Sequence, residues 1–194
     1  MFSDTARRAD PKEPQREPAP KHDRTVFACQ CRITAACKLA KTAQLGQWIL
    51  HWHPNLPVRE IRSPAGTQVG WILGLAVDTE GRTLPPVWHL PFDCDDVAAA
   101  DRFESELDCL GGRSAAVFLT SRSKRFYLDA SGSLAAVYCQ DRQAIASSCN
   151  LIPEIAEMQQ DLALIRAFEL SQRYGYFPFG LTPWFHITRL LPNH

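Results

Sequence analysis

The alternation of hydrophobic and polar positions divides the chain into a polar opening, two groups of short β-type runs and two helical stripes. Residues 1–24 interleave prolines with charges of both signs and offer almost nothing to bury, so they are expected to be a disordered tail. From Thr25 the composition changes, and residues 25–194 are expected to fold as one unit. The runs 25–33, 47–53, 57–62 and 69–78 are separated by Pro, Gly and Asn and predict strands of a first sheet region. A helix is predicted to open at Asp95 or Asp96 and to carry Phe103, Leu107 and Leu110 on one face. Gly111 and Gly112 are expected to stop it. Four further runs, 113–120, 125–129, 134–140 and 143–148, are broken by SRSK, ASGS and QDR, which predicts a β-meander. A second helix is predicted from Pro153, with Ile155, Met158, Leu162, Ile165 and Phe168 as its stripe, ending near Gly175. The closing stretch GYFPFGLTPWFHITRLLPNH holds too many prolines for a helix, but its aromatic residues predict docking onto the body.

Two runs, VGWILGLAV and SAAVFL, are apolar at almost every position instead of every second one, so both of their faces need cover. A sheet covered by helices on one side and by a second sheet on the other meets that need. The expected class is therefore α+β, a four-layer αββα sandwich of two antiparallel sheets.

Composition narrows the partners. A chain of 194 residues with 45% hydrophobic content suffices for one core and is short for two domains. Its 21 basic and 21 acidic side chains cancel, which gives no footprint for nucleic acid. No apolar run is long enough to span a bilayer and the opening lacks a secretory apolar stretch, so a cytoplasmic location is expected.

Seven cysteines without framework spacing fit reduced thiols. Alternation puts Phe27, Cys29, Cys31 and Ile33 on one face, where the cysteines act as small core hydrophobes. Trp48, Leu50 and Trp52 form the bulkier row of the next strand, and His51 and His53 share its other face with Ile49. Neither pair follows zinc spacing, so no metal and no cofactor are expected.

Asp129 stands three places before Gly132 and is expected to serve the turn, its carboxylate accepting backbone amides while Gly132 takes a positive φ. Ser147 and Ser148 lack a local relay, so a hydrolase triad would have to recruit His89 or His186 from afar. Asp93, Asp95 and Asp96 read as charge at a helix start, and Glu104 and Glu106 as a solvated helix face.

The order GRSAAVFLTSRSKRFYLDASGSLAAVYCQDRQAIASSCNLI, then a helix, then GLTPWFHITRLLPNH, resembles the later half of the class II glutamine amidotransferase domain of asparagine synthetases. The residues that carry it are Gly112 and Arg113, Asp129 and Gly132, Tyr138, Ala146 to Ser148, and Thr182 through Pro192. The resemblance spans roughly residues 112–194 and implies the N-terminal-nucleophile fold, again four layers. It also implies a mechanism in which a cysteine at the mature N-terminus supplies both the nucleophilic thiol and, through its α-amino group, the base. Here Phe2 follows the first Met, and the Arg-Gly-Pro-Asp, Asn-Gly-Glu and Ser-x-x-Gly-Asp glutamine-handling segments have no counterpart. The synthetase domain's Ser-Gly-Gly-x-Asp-Ser phosphate loop is missing too.

These departures predict a noncatalytic domain with no catalytic residue, in structural or regulatory contact with a synthetase-type partner or a second copy of itself. A truncated relic of a longer protein is a further expectation. The alternative is an amidohydrolase activated by cleavage before Cys29.

Overall fold

The structure, a computed structural model, describes residues 26–29, 41–152, 155–171 and 180–191. In chain order these form β1 (Val26–Cys29), β2 (Lys41–Leu45), β3 (Trp48–Trp52), β4 (Val58–Arg62), β5 (Gln68–Val77) and β6 (Val87–His89). There follow α1 (Ala99–Leu107), β7 (Gly111–Leu119), β8 (Lys124–Leu128), β9 (Val137–Cys139), β10 (Ala144–Ala146), α2 (Leu162–Ser171) and β11 (Ile187–Arg189). Single 3₁₀ turns occupy Cys149–Leu151 and Ile155–Glu157. The protein is thus mixed α+β, with mostly strands and few helices.

The strands form two sheets. One has six strands in the order β11-β9-β10-β1-β3-β2, and the other five in the order β6-β4-β5-β7-β8. Every pairing in the first is antiparallel. The second departs from the expected purely antiparallel sheet, because β6 lies parallel to β4. The reason is occupancy: after β5 the chain turns back at Asp78–Arg82, but β4 and β7 already flank β5. The returning strand must settle beyond β4, and so runs in its direction.

The two expected strand groups do not map onto the two sheets. β1 and β3 belong to the six-stranded sheet and β4 and β5 to the other, and the proposed meander is likewise divided between β7–β8 and β9–β10. The loop from Asp129 to Ala136 carries the chain from one sheet to the other.

Alternation along β5 and β7 explains how the sheets meet. Trp71 and Leu73 of β5 and Ala115 and Val117 of β7 join Leu50 of β3 in a buried cluster between the sheets. Ile72, Ala76, Ala116 and Phe118 point the other way and pack with Phe103 of α1. Phe103 stacks on Phe118 with ring centroids 4.4 Å apart and meets Tyr127 edge-on at 5.6 Å. Both faces of these strands are therefore covered over most of their length, as their apolar character requires, and Leu75 near the end of β5 is the exposed exception. The backbones approach closely at Gly70, where an added Cβ would lie 1.9 Å from the Val117 carbonyl oxygen.

Both helices differ from expectation. α1 begins four residues after Asp95, since the Asp96 carboxylate accepts the Ala98 N–H and shapes the entering turn without capping the helix itself. Its end falls at Leu107, and Gly111 and Gly112 open β7 instead of stopping the helix.

The second helical stripe is broken. Ile155–Glu157 is one 3₁₀ turn, Gln160 then bridges to Trp184, and α2 starts at Leu162 with the Asp161 carboxylate accepting the Leu164 N–H at 2.9 Å. Pro153 and Gly175 lie outside the described residues. The outer face of the six-stranded sheet is covered by Ile152, Leu151, Ile155, Met158 and Trp184, around Val137, Cys139 and Ile187. None of the described α2 side chains is fully buried.

The C-terminal segment docks as expected, by strand addition. β11 pairs with β9, and Thr182, buried beneath it, donates its hydroxyl to the Ile187 carbonyl at 2.7 Å. Among the described residues no helix is long and apolar enough to cross a membrane.

Candidate functional site

At one end of the paired sheets the turns leave a cleft of about 530 Å³, within the range of small-ligand sites. Its walls come from the β2–β3 turn, the β4–β5 turn, the loop ahead of α1 and the β7–β8 turn. Trp48, Val69 and Leu119 supply apolar surface, while Asp93, Asp95 and Lys124 bring charge.

The walls are held by local bonds. Ser63 is buried, and its hydroxyl accepts the Thr67 N–H at 3.2 Å. Thr120 Oγ1 accepts the Ser123 N–H at 2.9 Å, which sets the β7–β8 turn. Ser121 reaches across to donate to Asp95 Oδ1 at 3.2 Å and ties that turn to the loop ahead of α1. Within the loop, Asp93 Oδ1 accepts the Asp95 N–H at 2.9 Å.

Cys94, between the two aspartates, is buried, and its thiol is directed at the Phe92 carbonyl. Burial, and then the charges of Asp93 and Asp95, push its pKa up, so the thiol stays protonated and is a poor nucleophile.

A second depression of about 360 Å³ lies between α1 and the start of β7, lined by Glu104, Leu107, Asp108, Tyr127 and Asp129. Burial and the Glu104 carboxylate push the Tyr127 hydroxyl well above its ordinary range, and among the described residues no acceptor meets that hydroxyl at bonding geometry.

Asp129, on the edge of this depression, is committed to the turn. Oδ1 accepts the Ser131 and Ser133 amides at 2.9 and 3.3 Å, and Oδ2 accepts the Ser114 amide at 3.2 Å. Burial acts to raise the Asp129 pKa, but the bonds from Ser131, Ser133 and Ser114 outweigh it and hold the carboxyl below its ordinary value. Gly132 takes φ +59° and donates its N–H to the Asp129 carbonyl, closing the turn.

The serine candidates are not brought into a relay. In the six-stranded sheet Ala146, Val137 and Arg189 lie at one level and Ala144, Cys139 and Ile187 at another. Ser147 lies beyond the first level and His186 beyond the second, four residues apart along parallel strands, or roughly 13 Å. The Ser147 hydroxyl is buried without a partner among the described residues, and His186 instead lies 3.7 Å from Asp141. His89 ends β6, on the edge of the other sheet.

The histidines of β3 are local too. His51 Nδ1 meets Thr42 Oγ1 at 3.1 Å, with its pKa lowered by burial, and His53 Nδ1 accepts the Asn55 N–H at 3.2 Å. Among the described residues no three or more of His, Cys, Asp and Glu are grouped so as to hold a metal ion. Of the acidic candidates, Asp96 pairs with Arg102 at 3.1 Å, and Glu104 is exposed on α1.

Cys29 is the last residue of β1, opposite Ala144 of β10 and Ile49 of β3. Its side chain, and Cys31 altogether, fall outside the described residues. The cleft has no signature in the sequence, where Asp93 and Asp95 read as charge at a helix start. Its remaining walls are turn residues from three distant segments, which no local pattern joins. No known protein family, curated protein or solved structure matches the chain.

Proposed function

We propose that this chain is a noncatalytic domain of the class II glutamine amidotransferase type, with the αββα layering of the N-terminal-nucleophile fold, acting through contact with a synthetase-type partner. The motif order over residues 112–194 supports the family, and two facing sheets with α1 outside one of them are compatible with its architecture.

The observation that carries the noncatalytic reading is the position of Cys29. An N-terminal nucleophile has to begin its strand, whereas Val26, Phe27 and Ala28 have already entered β1 ahead of Cys29. Cleavage before Cys29 would remove those three residues from between β10 and β3. The backbone amine that would serve as base is, in the intact chain, a peptide nitrogen with no basicity.

One observation favours the amidohydrolase as a second reading. Ile49, opposite Cys29, adjoins Trp48 of the cleft, so a chain beginning at Cys29 would bring its amine to the cleft end of the sheet. Ammonia release from glutamine separates the two readings. The intact protein, a chain beginning at Cys29 and its Cys29→Ala variant should all give the same background rate. Turnover by the shortened chain that the variant lacks would establish the second reading.

A further inference from the structure

The geometry points to the cleft between the sheet ends as the receptor for a single basic side chain, an arginine or lysine presented by a protein partner. This rests on the partner-binding reading above and names the chemistry of the contact.

Three features carry it. The shape is right, because the cleft is open at the end of the sheets, and Trp48, Val69 and Leu119 give apolar surface along which a methylene stem can lie. The charge is right as well. Asp93 and Asp95 each spend one oxygen, on the Asp95 amide and the Ser121 hydroxyl, and neither is in an ion pair among the described residues. Asp96, the next acid along the same loop, is by contrast paired with Arg102.

Against these two carboxylates the lining sets one cation, Lys124, so its charge balance favours a single positive guest. The walls are also set before binding, by the bond from Ser121 to Asp95 and by the buried Ser63 in the β4–β5 turn. Cations are attracted both to carboxylates and to aromatic faces such as that of Trp48, and arginine is among the residues that dominate binding at protein interfaces.

The test is calorimetric titration of the full chain with butylguanidinium, which reproduces an arginine side chain, and with butylurea, its neutral isostere. Butylguanidinium should bind at millimolar concentration and butylurea should not. Asp93→Asn and Asp95→Asn keep the turn hydrogen bonds while removing charge, and each should weaken binding about 10-fold. Lys124→Ala, at an exposed position on the rim, should strengthen it about 3-fold. No binding, or binding indifferent to all three changes, overturns the inference.

Co-purification of a synthetase-type chain tests the partner reading separately. A partner retained equally by wild type and Asp93→Asn would refute the cleft and leave that reading standing. Charge-dependent butylguanidinium binding by a chain that retains no partner would do the reverse.

Discussion

The two sheets contain similar numbers of strands and are built by different means. In the five-stranded sheet β5 and β7 pair over eight positions and are covered on both faces, by α1 and by the opposite sheet. In the six-stranded sheet β9, β10 and β11 pair over three positions each, and the outer face is closed by 3₁₀ turns and a few side chains. Burial scales with covered apolar area, so the first sheet is the stable spine and the second is the part whose order depends on individual hydrogen bonds. The proposed contact site falls where turns of both sheets meet. Its walls inherit rigidity from the β4–β5 and β7–β8 turns and receive only the β2–β3 turn from the lighter sheet.

The largest effect should come from forcing the spine apart. Gly70→Ala puts a Cβ against the Val117 carbonyl, and equilibrium denaturation should show a loss of more than about 4 kcal/mol, or a chain that does not fold. In the lighter sheet, Thr182→Val removes the hydroxyl that bonds Ile187 and leaves a buried carbonyl unpaired. It should cost about 1–3 kcal/mol. Hydrogen exchange would sharpen the contrast, because this change should expose β11 and β9 amides while β5 and β7 stay protected. Protection lost equally in both sheets would mean that they unfold as one unit.

Gly132→Val acts at the link between the sheets. A branched residue at φ +59° should lower stability by about 1–2 kcal/mol. The smallest effect is expected for Asp129→Asn, whose amide oxygen can still accept the Ser131 and Ser133 N–H groups while its NH2 no longer accepts the Ser114 N–H. At neutral pH its cost should be about 1 kcal/mol.

The difference should appear in acid. The folded-state pKa of Asp129 is lowered, so its stabilising contribution is present above the unfolded-state value and is lost as pH falls through the folded-state value. Asp129→Asn should therefore flatten the acid limb of the stability profile. An unchanged limb would show that other carboxylates dominate it.

The same contrast governs what could be read from the residues. The runs that became β5 and β7 are apolar at nearly every position and bounded by turn signals, which is the pattern of a strand covered on both faces. β2, β6 and β11 escaped notice. Lys41–Leu45 carries the polar pattern of an edge strand, while β6 and β11 hold three residues each, too few for a period to register. The second helical stripe misled because Ile155 and Met158 do point inward, but from a 3₁₀ turn, and the chain then pairs Gln160 with Trp184 before α2 begins.

Among functional residues, the Asp129 turn was legible because an Asp-x-x-Gly spacing encodes its own hydrogen bonds. The cleft was not, since it exists only once sheet pairing brings four separate turns together.

Activity and partner contact both trace back to Cys29, because the noncatalytic reading assumes that the chain works with that residue inside β1. The most direct measurement is the mass of the chain isolated from its native source, together with ammonia release from glutamine by the same sample. The expected result is a species in which Val26–Ala28 still precede Cys29 and which releases no ammonia above background. A chain that begins at Cys29 and turns over glutamine would contradict the account.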